Sequence, residues 1–153
     1  MRKFLIVPAL LLAGLLVFAL SVPQAQAMAP NVSSVNETQL QQELANPGDV
    51  VLVFAYAEWC GPCHSYAPKF DAAAQASSSS VKFFKFDVDQ NLDMARKLGL
   101  TATPTTYCMK RSADNSRVLY GEVTGGLSED GVHQLVEICS SADVDEHLLE
   151  VNF

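Results

Sequence analysis

The stretch VVLVFAYAEWCGPCH, Val50 to His64, constrains this chain more than any other. Val50 to Ala57 is an unbroken β-branched and aromatic run, the pattern of a strand buried on both faces within a parallel or mixed sheet. Glu58 and Trp59 follow, and then Cys60-Gly61-Pro62-Cys63. From there to Ala76 the sequence reads as a helix, with Pro68 inside it as an expected kink. A strand that runs straight into a helix sets the first helical residues at the C-terminal edge of the sheet, where chemistry collects in open α/β sheets. There Cys60 would meet unpaired backbone N–H groups and the positive end of the helix dipole, both of which favour a thiolate. A thiol of ordinary pKa about 8.5 drops by a unit or more in such surroundings. Three-residue spacing on a helix brings both sulfurs to one face. Cys60 is therefore expected to be exposed and to attack a substrate disulfide. Cys63, behind it and more buried, is expected to resolve the mixed disulfide.

The same residues with His64 spell C-x-x-C-H, the attachment pattern of c-type haem. Gly-Pro between the cysteines and a buried strand directly before them favour disulfide chemistry instead. A metal site built from Cys60, Cys63 and His64 lacks a fourth ligand at any signature spacing. No metal and no bound cofactor is expected, because two sulfurs carry the electrons. The chain has 153 residues and a formal net charge of −7, which suits one domain with a real core and offers nucleic acid no electrostatic footprint.

Residues 1–27 read as a leader. Arg2 and Lys3 precede an apolar run from Phe4 to Leu20, and Ala25-Gln26-Ala27 is an A-x-A cleavage pattern. A helix over the apolar run would be about 26 Å long, short of a hydrocarbon core of about 30 Å. A cleaved signal peptide is thus expected over an N-terminal membrane anchor. Either way the folded part is exported, periplasmic or secreted. Four cysteines in an oxidising compartment can pair. A second bond between Cys108 and Cys139 depends on a Cα separation that sequence does not supply, and buried free thiols remain the alternative.

Residues 28–36 read as a linker or a short first strand. Glu37 to Leu44 reads as a helix stopped at Asn46-Pro47-Gly48. Val81 to Asp89 reads as a strand, and Asn91 to Lys97 as a short helix closed by Gly99. Thr103 to Lys110 and Arg117 to Val123 read as an antiparallel hairpin. The last helix places Val132, Leu135, Val136 and Cys139 on one face, with Ser128 as N-cap. An acidic tail, 141–153, ends the chain. Helices between the early strands and a hairpin late give a three-layer α/β/α domain with a central mixed sheet.

Five pieces in order resemble the thioredoxin family. YAEWCGPCH is similar to its active-site sequence WAEWCGPCK. Pro68 lies five residues after the second cysteine, as in the family. Thr103-Pro104-Thr105 resembles its x-P-T, Lys85 to Asn91 its K-x-x-x-D-x-N, and Thr124 to Val132 the start of its last helix. The resemblance spans 37–140 and implies a thioredoxin fold and a thiol–disulfide oxidoreductase. It implies that Cys60 and Cys63 are the redox pair and that Pro104 is cis. It also implies that Trp59, Gly61, Pro62, Thr103 and Pro104 receive an extended substrate. Its substrates would be cysteine pairs in other exported proteins, with a membrane electron relay as the source of electrons if it reduces. A monomer is expected. The alternative is a thioredoxin-like binding module or chaperone whose cysteines stay oxidised.

Two departures bear on turnover. The family has a buried acid six residues before the first cysteine, and Phe54 stands there. Lys85 matches the lysine that pairs with that acid. His64 stands where a lysine is common, and an imidazole beside the sulfurs would favour a thiolate. His64 and Lys85 are therefore expected to modulate the pair.

Overall fold

The computed structural model describes residues 32–46, 48–78, 80–112, 114–115, 118–141 and 149–151. The leader reading falls outside these residues, as does most of the acidic tail.

The elements run β1 (Ser33–Ser34), α1 (Glu37–Glu43), β2 (Val50–Tyr56), α2 (Gly61–Ala76), β3 (Val81–Asp87), α3 (Leu92–Lys97), β4 (Thr105–Arg111), β5 (Val118–Thr124), α4 (Glu129–Ser140) and β6 (Leu149–Val151). Among the described residues, one mixed sheet holds these six strands in the order β1-β3-β2-β4-β5-β6. The β1–β3 and β3–β2 pairs are parallel, and the β2–β4, β4–β5 and β5–β6 pairs are antiparallel. β6 lies within the segment read as a tail, which therefore returns to the sheet edge.

β2 is central, and its residues Val50 to Ala55 are buried on both faces, as its apolar run requires. Alternate residues of β4 reach opposite layers. Thr106 bonds Tyr66 of α2 at 2.8 Å, and Cys108 joins Cys139 of α4. On the other face, Tyr107 Oη donates to the Leu98 carbonyl at the end of α3, and Arg111 Nε to the Leu44 carbonyl at the end of α1. So α2 and α4 cover one face, and α1 and α3 the other. This is the three-layer α/β/α architecture that the resemblance implies.

Local sequence explains the helix ends. Asn36 and Gln39 form a reciprocal capping box at the start of α1. Ser128 Oγ accepts from Gly131 N–H at 3.0 Å, capping α4 as expected. Gly99, at φ +66°, closes α3: its N–H donates to the Arg96 carbonyl, and Leu100 N–H to the Ala95 carbonyl.

The α2 face of the sheet is aromatic. Phe54 lies 4.9 Å from Tyr66 and 5.5 Å from Phe70, centroid to centroid, and Phe70 lies 5.3 Å from Phe83. Burying each phenylalanine contributes roughly 2–3 kcal/mol. Where the resemblance implies an acid, Phe54 is the hub of this cluster.

Candidate active site

β2 ends at Tyr56, and a short turn hands the chain to α2. Cys60 N–H donates to the Ala57 carbonyl at 3.0 Å, which fixes the turn. Cys60 is the N-cap of α2, with φ −84° and ψ 99°. Pro62 lies in the first turn of α2, where its missing N–H costs nothing. The Cys63 N–H donates to Cys60 Sγ at 3.2 Å. A sulfur in that position takes the place of an N-cap oxygen and receives positive charge from the helix end.

Cys60 and Cys63 are bonded, S–S 2.05 Å, with Cα atoms 5.2 Å apart. The expected contrast in exposure is not found, because each residue is 3% exposed. Bonded to Cys63, the Cys60 sulfur faces its partner and not solvent. Exposure falls on the neighbours instead. Gly61 and Pro62 are exposed, and Trp59 is 71% exposed. Trp59 is held by its indole N–H, which donates to Asp89 Oδ2 at 2.9 Å.

The Thr103–Pro104 bond is cis. Register puts it at the redox end of the sheet, since Thr105 of β4 pairs with Ala55 of β2. Pro104 is buried and Thr103 half-buried. The Pro104 carbonyl accepts from Gly125 N–H at 2.8 Å. Gly125 has φ +101°, a conformation that favours glycine. A Cβ on Gly126 would stand 3.3 Å from Tyr66 Cβ, so this loop packs closely on α2.

Behind the pair, a cavity of about 190 Å³ is lined by Phe54, Tyr56, Glu58, Cys63, His64 and Lys85, among others. His64 is exposed, and its Nε2 lies 2.9 Å from the Glu58 carbonyl. A carbonyl only accepts, so Nε2 carries the hydrogen. Lys85 Nζ sits 6.0 Å from the Tyr56 ring centroid, and among the described residues no carboxylate pairs with it. Burial raises the Tyr56 phenol above its ordinary value.

The structure thus brings Cys60, Cys63, Trp59, Gly61 and Pro62 together on one turn. It sets Thr103 and Pro104 at the same sheet end, and His64 and Lys85 on one cavity wall. Sequence reasoning missed Asp89, Glu58 and Tyr56. Asp89 was within reach, as the aspartate that closes the Lys85–Asn91 resemblance. Glu58 and Tyr56 flank the turn but carry no pattern of their own.

The second bond, Cys108–Cys139, joins β4 to α4 across a Cα separation of 6.3 Å. Register explains it, because Cys108 points from β4 toward the layer that holds α4.

The thioredoxin family model matches residues 31–137. A thioredoxin of Echinococcus granulosus is 40% identical over 96 residues, covering 62% of this chain and 83% of that protein. A thioredoxin of Porphyra purpurea is 32% identical over 106 residues, covering 69% and 98%. Among solved structures, spinach chloroplast thioredoxin f superposes with TM-score 0.60 at 29% identity, covering 74% of this chain and 97% of that one. A mutant thioredoxin from Halobacterium salinarum superposes with TM-score 0.59 at 31% identity, covering 72% and 90%. A redox pair at disulfide distance, on the turn from β2 to α2 of this fold, completes the correspondence: the chain belongs to the thioredoxin family and is a thioredoxin-like disulfide oxidoreductase.

Proposed function

We propose that this protein is exported, periplasmic or secreted, and exchanges disulfides in other exported proteins. The observation that carries the exchange chemistry is Cys60 at the N-cap of α2, its sulfur accepting the Cys63 N–H. Export is supported by the leader pattern of residues 1–27. The bonded Cys108–Cys139 pair fits an oxidising compartment.

In the reducing direction, the Cys60 thiolate attacks one sulfur of the substrate disulfide. The Cys60–substrate bond forms, the substrate disulfide breaks, and one substrate thiolate leaves and takes a proton from water. Cys63 then loses its proton and attacks Cys60 Sγ. The Cys60–Cys63 bond forms and the second substrate thiol is released, so the substrate gains the two electrons the protein loses. The reverse sequence oxidises. Trp59, Gly61 and Pro62 supply an exposed rim, and the backbone at Thr103 pairs with an extended substrate next to Pro104. The protein acts as a monomer and, as a reductant, draws electrons from a membrane relay.

Phe54 supports a second reading, a binding module whose pair stays oxidised, because the position six residues before Cys60 carries no acid. Insulin reduction driven by dithiothreitol separates the two. Faster turnover by wild type than by Cys60→Ser supports exchange, and equal rates support the binding module. Titration against glutathione then assigns direction: a potential near about −270 mV marks a reductant and one near about −120 mV an oxidant.

A further inference from the structure

The resolving step needs a proton removed from Cys63, and the usual acceptor position is occupied by a phenyl ring. Phe54 is 2% exposed and packed on Tyr66 and Phe70, so it can neither accept nor relay a proton. Cys63 nevertheless has a polar neighbour. It borders the cavity whose titratable side chains come from every element around it: Tyr56 of β2, Glu58 of the following turn, His64 of α2 and Lys85 of β3. At about 190 Å³ the cavity has room for several waters, and polar side chains line its wall.

We propose that His64 accepts the Cys63 proton through water in this cavity, replacing the buried acid that Phe54 displaces. This rests on the exchange activity proposed above. The geometry selects His64 from the four candidates. Its Nε2 hydrogen is committed to the Glu58 carbonyl, which leaves Nδ1 as the ring's lone pair. A lysine ammonium has only hydrogens to offer, and a phenol that keeps its own proton can accept a hydrogen bond but is a poor base. Glu58 is exposed and so is not the buried acid the family uses, and its backbone carbonyl instead holds the His64 ring. Lys85, with no carboxylate paired to it among the described residues, directs its charge toward the same cavity and favours the Cys63 thiolate as it forms.

The chemistry balances as follows with glutathione disulfide as oxidant. Cys60 thiolate attacks it, forming Cys60–glutathione and releasing one glutathione thiolate. Cys63 passes its proton through water to His64 Nδ1 and attacks Cys60 Sγ. The Cys60–Cys63 bond forms, the second glutathione thiolate leaves, and that thiolate takes up a proton. Two protein thiols are oxidised and one glutathione disulfide is reduced.

The test uses the full chain, reduced, mixed rapidly with glutathione disulfide and quenched in acid. Intact mass then separates dithiol, mixed disulfide and internal disulfide. H64Q is expected to slow decay of the mixed disulfide by at least about tenfold near pH 7. Formation of the mixed disulfide should change less than about threefold. H64K introduces a positive side chain but offers no acceptor, and is expected to behave like H64Q. The proposal is overturned if H64Q resolves at the wild-type rate, if it slows both steps equally, or if H64K resolves like wild type. If no mixed disulfide forms in wild type, the exchange activity fails and the proposal falls with it.

Discussion

The molecule holds two disulfides, and their differences separate a reagent from a staple. Both are buried, Cys60 and Cys63 at 3% each and Cys108 and Cys139 at 0% and 2%. Sulfur exposure therefore does not distinguish them. Their surroundings do. Cys60–Cys63 closes three residues at a helix start, beside an exposed Trp59 and a polar cavity. Cys108–Cys139 spans 31 residues and ties the middle of a buried strand to the apolar face of a helix. Opening the first disturbs one turn of chain. Opening the second removes the covalent tie between β4 and α4.

The largest expected difference is in turnover. Cys60→Ser should lower insulin reduction by at least about 100-fold, to the dithiothreitol background, with little change in stability. The double substitution Cys108→Ala with Cys139→Ala should do the converse. Removing a closure of this length lowers unfolding free energy by about 3–4 kcal/mol in chemical denaturation, with activity per folded molecule retained. Loss of activity at matched folded fraction would join the two bonds and break the contrast.

A smaller effect sharpens it by pH. Burial pushes the Tyr66 phenol up to about 12, against the opposing pull of its hydrogen bond with Thr106. The unfolded chain gives up this proton near pH 10, before the folded chain does. The contribution to stability is complete below pH 10 and is lost between 10 and about 12, at about 1.4 kcal/mol per pH unit. Burial and the nearby charge of Glu122 shift Tyr107 in the same direction. Denaturation midpoints measured from pH 9 to 12 should fall for wild type and fall less steeply for Tyr66→Phe. The smallest effect is at the cap of α4, the helix that carries Cys139. Ser128→Ala should cost about 1 kcal/mol in the same denaturation experiment and leave turnover unchanged.

The sequence made the redox end legible because backbone rules govern it. A double-sided apolar strand, a cysteine at a helix start, proline in the first turn and Ser128 before an apolar helix face each have one local consequence. The second bond depended on a separation between β4 and α4 that only packing sets. Burial of Cys60 was misread because the helix start was legible but the inward turn of a bonded sulfur was not. β6 was hidden for a different reason: three residues, Leu149 to Val151, carry too little periodicity to read as a strand, and pairing with β5 defines them. The cavity joining His64, Glu58 and Lys85 to Cys63 gathers residues from β2, the turn, α2 and β3, so no run of sequence displays it.

The central claim is that the start of α2 makes Cys60 an acidic, attacking thiol. The direct measurement is alkylation of the reduced protein with iodoacetamide at pH 6, the modified cysteine being located by peptide mass. The account predicts that Cys60 is labelled at least about tenfold faster than a cysteine in an unstructured peptide, and ahead of Cys63. Labelling of Cys60 at the peptide rate would contradict it.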